Sequence, residues 1–214
     1  MRAMNSDCRK QIIEAGRKLL HSGLTIETWG NISIRDGDRI CITPSGMDYE
    51  TMDENDLVML DLNGNVIDGK RKPSIEAGLH VMIYRNRPDV SAILHTHPVS
   101  SMVFAVLHED IPVISDEMAQ ALGGAVRCAA YALPGSEELA ANAAKALGSS
   151  QACLLANHGA VLAGRTLKEC FKNAAVLEAS SEVYYKARTI GKPAEITEEN
   201  VRWMRDFALH KYGQ

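Results

Sequence analysis

Two histidines, one residue apart, close an apolar run in Ser91 to Pro98, S-A-I-L-H-T-H-P. If Ala92 to Thr96 is extended, side chains alternate between faces, so His95 and His97 project the same way from backbone roughly 6 to 7 Å apart. Two neutral imidazoles on one side suit a shared metal ion, and Pro98 ends the strand just beyond them, setting both rings at its end. An isolated H-x-H equally describes two histidines that merely edge a sheet. A second apolar run, A-C-L-L-A-N-H-G, ends in the same manner, and His158 beside Gly159 is the natural third ligand. Glu76 falls in the first turn of a helix expected to begin near Ser74. The positive end of the helix dipole favours a glutamate there without any chemistry, but a short connection from this helix into the His95 strand also brings the two ends together. His80 reads as a helix-surface or packing histidine.

A second set of residues has the character of an anion site. The stretch T-W-G-N-I-S-I-R and, after the turn Asp36-Gly37-Asp38, R-I-C-I-T form a hairpin that opens into T-P-S-G-M-D-Y. Gly30 and Asn31 precede its first strand while Ser45 and Gly46 follow its second, so both pairs lie at one end. Small residues there let backbone N–H groups approach an anion, and Asn31 and Ser45 add side-chain donors; plain turn chemistry is the competing reading.

The remaining elements position these residues. Residues 6 to 20 read as a packing helix, and L-V-M-L-D-L-N-G-N-V-I as two strands around the strong hairpin signal Asn63-Gly64. V-S-S-M-V-F-A-V-L is a short helix, I-P-V-I-S an extended segment or strand, and R-C-A-A-Y-A a further strand. Ser115 or Asp116 caps a short helix ending at Gly123-Gly124, and Ser136 caps a longer one ending at Gly148. Two helices close the chain, from Thr166 with a capping box to Glu169, and from Thr197.

The 214 residues carry a net charge of −4 with 46% hydrophobic content, a composition that fits one globular domain and points away from nucleic acid and anionic membrane as partners. Five scattered cysteines without a C-x-x-C pair argue against a disulfide framework and a cysteine zinc site. The polar start lacks a signal-peptide core and no apolar run reaches about 18 residues, so a soluble cytoplasmic protein is expected.

Taken in order, G-N-I-S, T-P-S-G-M-D-Y, K-P-S-x-E, H-T-H-P, N-H-G-A and the terminal K-Y-G resemble the class II aldolase and adducin-like family over nearly the whole chain. The resemblance implies a single α/β domain over residues 1–214, a three-layer sandwich whose mainly antiparallel central sheet is flanked by helices, assembled as a homotetramer with active sites between subunits. It implies zinc, with manganese or cobalt as possible substitutes, on His95, His97, His158 and, before substrate binds, Glu76. A sugar phosphate then takes its phosphate onto Gly30, Asn31, Ser45, Gly46 and Ser74. The implied activity is reversible cleavage of a ketose 1-phosphate to dihydroxyacetone phosphate and a small aldehyde, of the fuculose, 5-deoxyribulose or 5-methylthioribulose type, with Glu76 moving a proton at carbon.

Two positions depart from the fuculose type. Asp116 stands where the family carries a tyrosine for the carbon-4 hydroxyl, and Ile75 replaces a phosphate-clamp serine. A carboxylate of ordinary pKa near 3.9 accepts a proton at neutral pH, so Asp116 is a candidate base as well as a candidate cap. Tyr212 matches a C-terminal tyrosine that reaches the site. The alternatives within the family are a ribulose-phosphate 4-epimerase, which resembles this chain but carries aspartate in place of Glu76, and a methylthioribulose-1-phosphate dehydratase. A non-catalytic adducin-like module is disfavoured by the complete histidine set.

Overall fold

The computed structural model describes residues 6–211. In chain order the elements are α1 (Ser6–His21), β1 (Asn31–Asp36), β2 (Arg39–Ile42), β3 (Val58–Asp61), β4 (Val66–Asp68), α2 (Ala77–Asn86), β5 (Ala92–Thr96), α3 (Val99–Leu107), α4 (Asp116–Leu122), β6 (Arg127–Ala129), α5 (Glu137–Leu147), β7 (Ala152–Leu155), β8 (Gly159–Gly164), α6 (Leu167–Ile190) and α7 (Glu198–His210). The strands form one sheet in the order β4-β3-β2-β1-β5-β8-β7-β6, antiparallel throughout except between β6 and β7. Helices cover both faces, which gives the α/β sandwich expected from the sequence.

Alternation along the strands sorts the core into two layers. Ile32 and Ile34 of β1 and Ala92 and Leu94 of β5 pack with α1, α3, α4 and α6. Ile93 of β5, with Ile40, Ile42, Val58 and Leu60, packs on the opposite face against Leu79, Val81 and Ile83 of α2 and Leu139, Ala140 and Ala143 of α5. Every residue of β5 is buried, since β1 and β8 flank it and helices cover both its faces. Each fully buried aliphatic side chain contributes roughly 1.5–3 kcal/mol, so the strand that carries His95 is anchored from both sides.

Local signals set most boundaries. Ser115, Ser136, Thr166 and Thr197 each accept an N–H in the first turn of the helix they cap. Ser115 is therefore the cap of α4, and Asp116 is its exposed first residue. The Thr166 capping box is half formed, because the Glu169 carboxylate accepts from the Arg165 N–H and guanidinium instead of from Thr166. The I-P-V-I-S segment is extended but joins the rest only through a single bridge, Ile111 to Val126. The start of α2 also differs from expectation: it begins at Ala77, not near Ser74. Pro44 bridges Pro73, the Ser45 N–H donates to Lys72 O and the Ser74 N–H donates to Thr43 O, so residues 72–74 are held extended and the helix begins only after them. Among the described residues no helix is long and apolar enough to cross a membrane.

Candidate metal and substrate site

The register of β1 against β5 builds the floor of the site. Asn31 lies opposite His95, so the two side chains share the sheet face that looks toward α2. His97 follows the end of β5, its N–H donating to Leu24 O. His158 sits in the tight turn from β7 to β8, where Asn157 takes the left-handed backbone (φ 55°) that asparagine tolerates better than most residues. Gly159 is required there by space, since a Cβ would meet Thr96 O at 2.4 Å. On the other side of β5, Gly30 has φ 98° and a Cβ on it would meet His95 O at 2.6 Å. Two glycines thus let neighbouring backbone close on His95 from both flanks.

The imidazoles converge. His95 and His97 bring their Nε2 atoms to 3.0 Å, Glu76 Oε2 is 3.2 Å from His95 Nε2, and Glu76 Oε1 is 3.5 Å from His158 Nε2. The three histidines present ligand atoms that all lie within 4.8 Å of one another. Ligands placed about 2.0–2.1 Å from a tetrahedral ion stand about 3.3 Å apart, so these separations fit a single ion. The proton positions fit as well. A carbonyl only accepts, so His95 Nδ1 donates to Ala160 O at 3.0 Å and Nε2 keeps its lone pair for a metal. Burial, with the neighbouring imidazoles, lowers His97 to about 3 and His158 to about 4, so both rings are neutral at neutral pH, the state a metal ligand needs. Burial alone would raise the Glu76 carboxyl, but the adjacent His95 and His158 and the Asn31 amide outweigh it and the pKa is lowered. Glu76 Oε1 and His158 Nδ1 are buried without a hydrogen-bond partner among the described residues, a cost that a bound ion or substrate would relieve.

Glu76 is the N-cap residue of α2 but makes no side-chain cap bond, so its carboxylate is turned inward and not spent on the helix end. The Ser74 hydroxyl accepts the Glu76 N–H at 3.3 Å. Ser45 and Gly46 are exposed at the rim, Gly46 with φ 63°. The Asn31 amide, expected as a phosphate donor, instead donates to Glu76 Oε2 at 2.8 Å. These residues line one cleft of about 530 Å³, with Gly30, Ile75, His95, His97 and His158. Asp116 is not among its lining residues, and Tyr212 lies outside the described residues.

Three neighbours carry no signal in the sequence reading. Trp29, 63% exposed, stands at the mouth with its ring 5.8 Å from that of His97; its TWGN context reads only as a turn. Met102 and Pro134 line the same side. His80 is fully buried between Asn31 and Ser33, the packing one of the two places expected for it, and its spacing of four from Glu76 and from Tyr84 sets it on their face of α2. A larger cleft, about 630 Å³, lies against α6 and α7, but Arg165 there is paired with Glu169 and Arg87 with Asp89.

Comparison with known proteins agrees with this geometry. Residues 10–185 match the model of the Class II Aldolase and Adducin N-terminal domain. The 5-deoxy-D-ribulose 1-phosphate aldolase of Bacillus thuringiensis serovar kurstaki is 38% identical over 210 residues, covering 96% of this chain and 97% of that protein. The 5-methylthioribulose-1-phosphate/5-deoxyribulose-1-phosphate aldolase of Rhodospirillum rubrum is 41% identical over 185 residues, 86% of this chain and 83% of its own. A solved L-fuculose 1-phosphate aldolase superposes with a TM-score of 0.91 at 38% identity, over 94% of this chain and 96% of its own. With its sheet, its glycine-flanked histidine strand and these relatives in agreement, the chain belongs to the class II aldolase and adducin family.

Proposed function

We propose that this protein is a metal-dependent aldolase that reversibly cleaves a ketose 1-phosphate to dihydroxyacetone phosphate and a small aldehyde. The observation that carries the reading is the buried Glu76 carboxylate, within 3.5 Å of two imidazoles and with Oε1 making no hydrogen bond among the described residues. Three nitrogen donors and one carboxylate favour zinc, with manganese or cobalt as substitutes, on His95, His97, His158 and Glu76. A bound divalent cation supplies Lewis-acid stabilisation of the charge that develops on the substrate oxygens as the bond between carbons 3 and 4 breaks.

The chain's own groups do the rest. Backbone N–H groups of Gly30 and Gly46 and the hydroxyls of Ser45 and Ser74 receive the phosphate at one end of the cleft, while the Asn31 amide, expected to join them, is held on Glu76. In the synthetic direction the ionised Glu76 removes a proton from the hydroxymethyl carbon; in cleavage it first takes up a proton, from a substrate hydroxyl or from solvent, and gives it to the carbon that keeps the electron pair of the broken bond. Asp116 takes the proton of the carbon-4 hydroxyl. Asp116 is exposed on α4 and outside the cleft of its own chain, so this role places it in a neighbouring chain's site, in keeping with a homotetramer with active sites between subunits; Tyr212 lies outside the described residues. Exposed apolar residues on α3, Val99, Val106 and Leu107, support such an interface.

The aldehyde end is apolar. Trp29, 63% exposed, with Met102 and Pro134, favours an aldehyde lacking a polar terminal substituent, as in the 5-deoxy and 5-methylthio pentulose phosphates named for the two relatives. The test is proton NMR of zinc-loaded protein with dihydroxyacetone phosphate in heavy water. Stereospecific loss of one hydroxymethyl hydrogen, abolished in Glu76→Gln, is expected; no exchange, even with a panel of aldehydes present, would remove the aldolase reading.

A further inference from the structure

We infer that His80 is a positioning residue that locks the Asn31 amide onto Glu76 Oε2 and thereby leaves Oε1 as the atom that carries the substrate proton. The inference rests on the aldolase reading.

Glu76, His80 and Tyr84 follow one another at intervals of four along α2 and so share one face of the helix, while Asn31 and Ser33 share one face of β1. All five side chains are buried, from 0% exposed at His80 and Ser33 to 5% at Glu76. They form a continuous chain. The Tyr84 hydroxyl is 2.8 Å from Ser33 Oγ, Ser33 Oγ is 2.6 Å from His80 Nδ1, His80 Nε2 is 2.5 Å from Asn31 Oδ1, and Asn31 Nδ2 is 2.8 Å from Glu76 Oε2.

The carboxylate dictates the polarity of the whole chain. An ionised Glu76 only accepts, so Asn31 turns its NH2 group to it and its carbonyl oxygen to His80. That oxygen only accepts, so His80 carries its proton on Nε2, and the bare Nδ1 accepts from the Ser33 hydroxyl. Tyr84 then donates to Ser33, to Oγ at 2.8 Å and to the carbonyl at 3.1 Å. Every donor meets an acceptor with the histidine neutral, the state that its burial enforces by lowering its pKa to about 3. A buried polar chain this complete has a single low-energy arrangement, whereas an apolar residue at position 80 would leave the Asn31 amide free to rotate. Glu76 Oε2 is thereby held, and Oε1, with no hydrogen-bond partner among the described residues and only the His158 ring at 3.5 Å, is left for the reaction.

Two measurements test this. In zinc-loaded protein with labelled histidine nitrogens, two-bond proton–nitrogen correlation should show His80 as the neutral Nε2–H tautomer; an Nδ1–H tautomer or an imidazolium overturns the proposal and needs no variant to fold. In the second, His80→Leu should bind zinc and keep the KM for a ketose 1-phosphate, yet exchange the dihydroxyacetone phosphate hydrogen about 10–100-fold more slowly. His80→Gln, whose amide supplies an N–H in place of Nε2–H, should regain most of that rate. A folded His80→Leu that exchanges at the wild-type rate overturns the proposal. Wild-type protein that neither exchanges nor cleaves would instead overturn the aldolase reading, leaving the tautomer spectrum to judge the hydrogen-bond chain itself.

Discussion

In the proposed mechanism the Glu76 carboxylate faces two demands, since a group that neutralises a cation makes a poor base until it is released. Its position suits both: it is close enough to His95 and His158 for one ion to bind all three, and it is anchored through a neutral amide rather than a second charge. Glu76→Gln should leave the fold intact and slow hydrogen exchange by about 10²- to 10⁴-fold, read by NMR in heavy water; unchanged exchange would strip Glu76 of its role. His97→Ala should emerge from gel filtration without tightly held metal, measured by elemental analysis, and a full complement of metal would refute the ligand set. The residue types that could hold a metal were legible in the sequence because H-x-H and N-H-G state their own geometry. The partners of Asn31 and His80 were not, because they depend on the packing of α2 against β1, which no local spacing reveals.

Among the elements, β5 is held closely on both flanks. Strands β1 and β8 pair with it on both edges, and Gly30 and Gly159 bring backbone closer to it than any side chain permits. Gly159→Ala should therefore cost roughly 1–3 kcal/mol by forcing β8 away from Thr96. For a chain of this size, that is a melting temperature lower by roughly 2–12 °C. Metal content should fall with it, because the displaced turn carries His158. Gly124→Ala, which meets open space without a positive φ, serves as the control and should change neither; equal effects in the two variants would contradict the close-approach argument. Hairpins and helix caps could be read from the sequence because each is a contract among a few neighbouring residues. The late start of α2 could not, since it is enforced by pairing of residues 43–45 with residues 72–74.

For the molecule as a whole, metal and assembly are the two levers. A ligand at about 100 times its Kd stabilises the folded state by about 2.7 kcal/mol, so chelation should lower the melting temperature by roughly 5–11 °C, and an unchanged transition would argue against a tightly held ion. If Asp116 serves the neighbouring chain, mixing inactive Asp116→Asn and Glu76→Gln proteins should restore activity at about a quarter of the sites by random assortment. No recovery after demonstrated subunit exchange would return Asp116 to its place as an exposed helix residue. The four proposed ligands also have a consequence in time. Glu76, His95 and His97 leave the ribosome well before His158, and β8, which secures one edge of the histidine strand, emerges last of the sheet. The nascent chain therefore passes through a stage that offers only part of its ligand set, and full-strength capture of an ion waits until the sheet has closed. On the proposed ligand set metal uptake would report closure of the sheet, and truncations ending before β8 should emerge from synthesis unable to retain the ion.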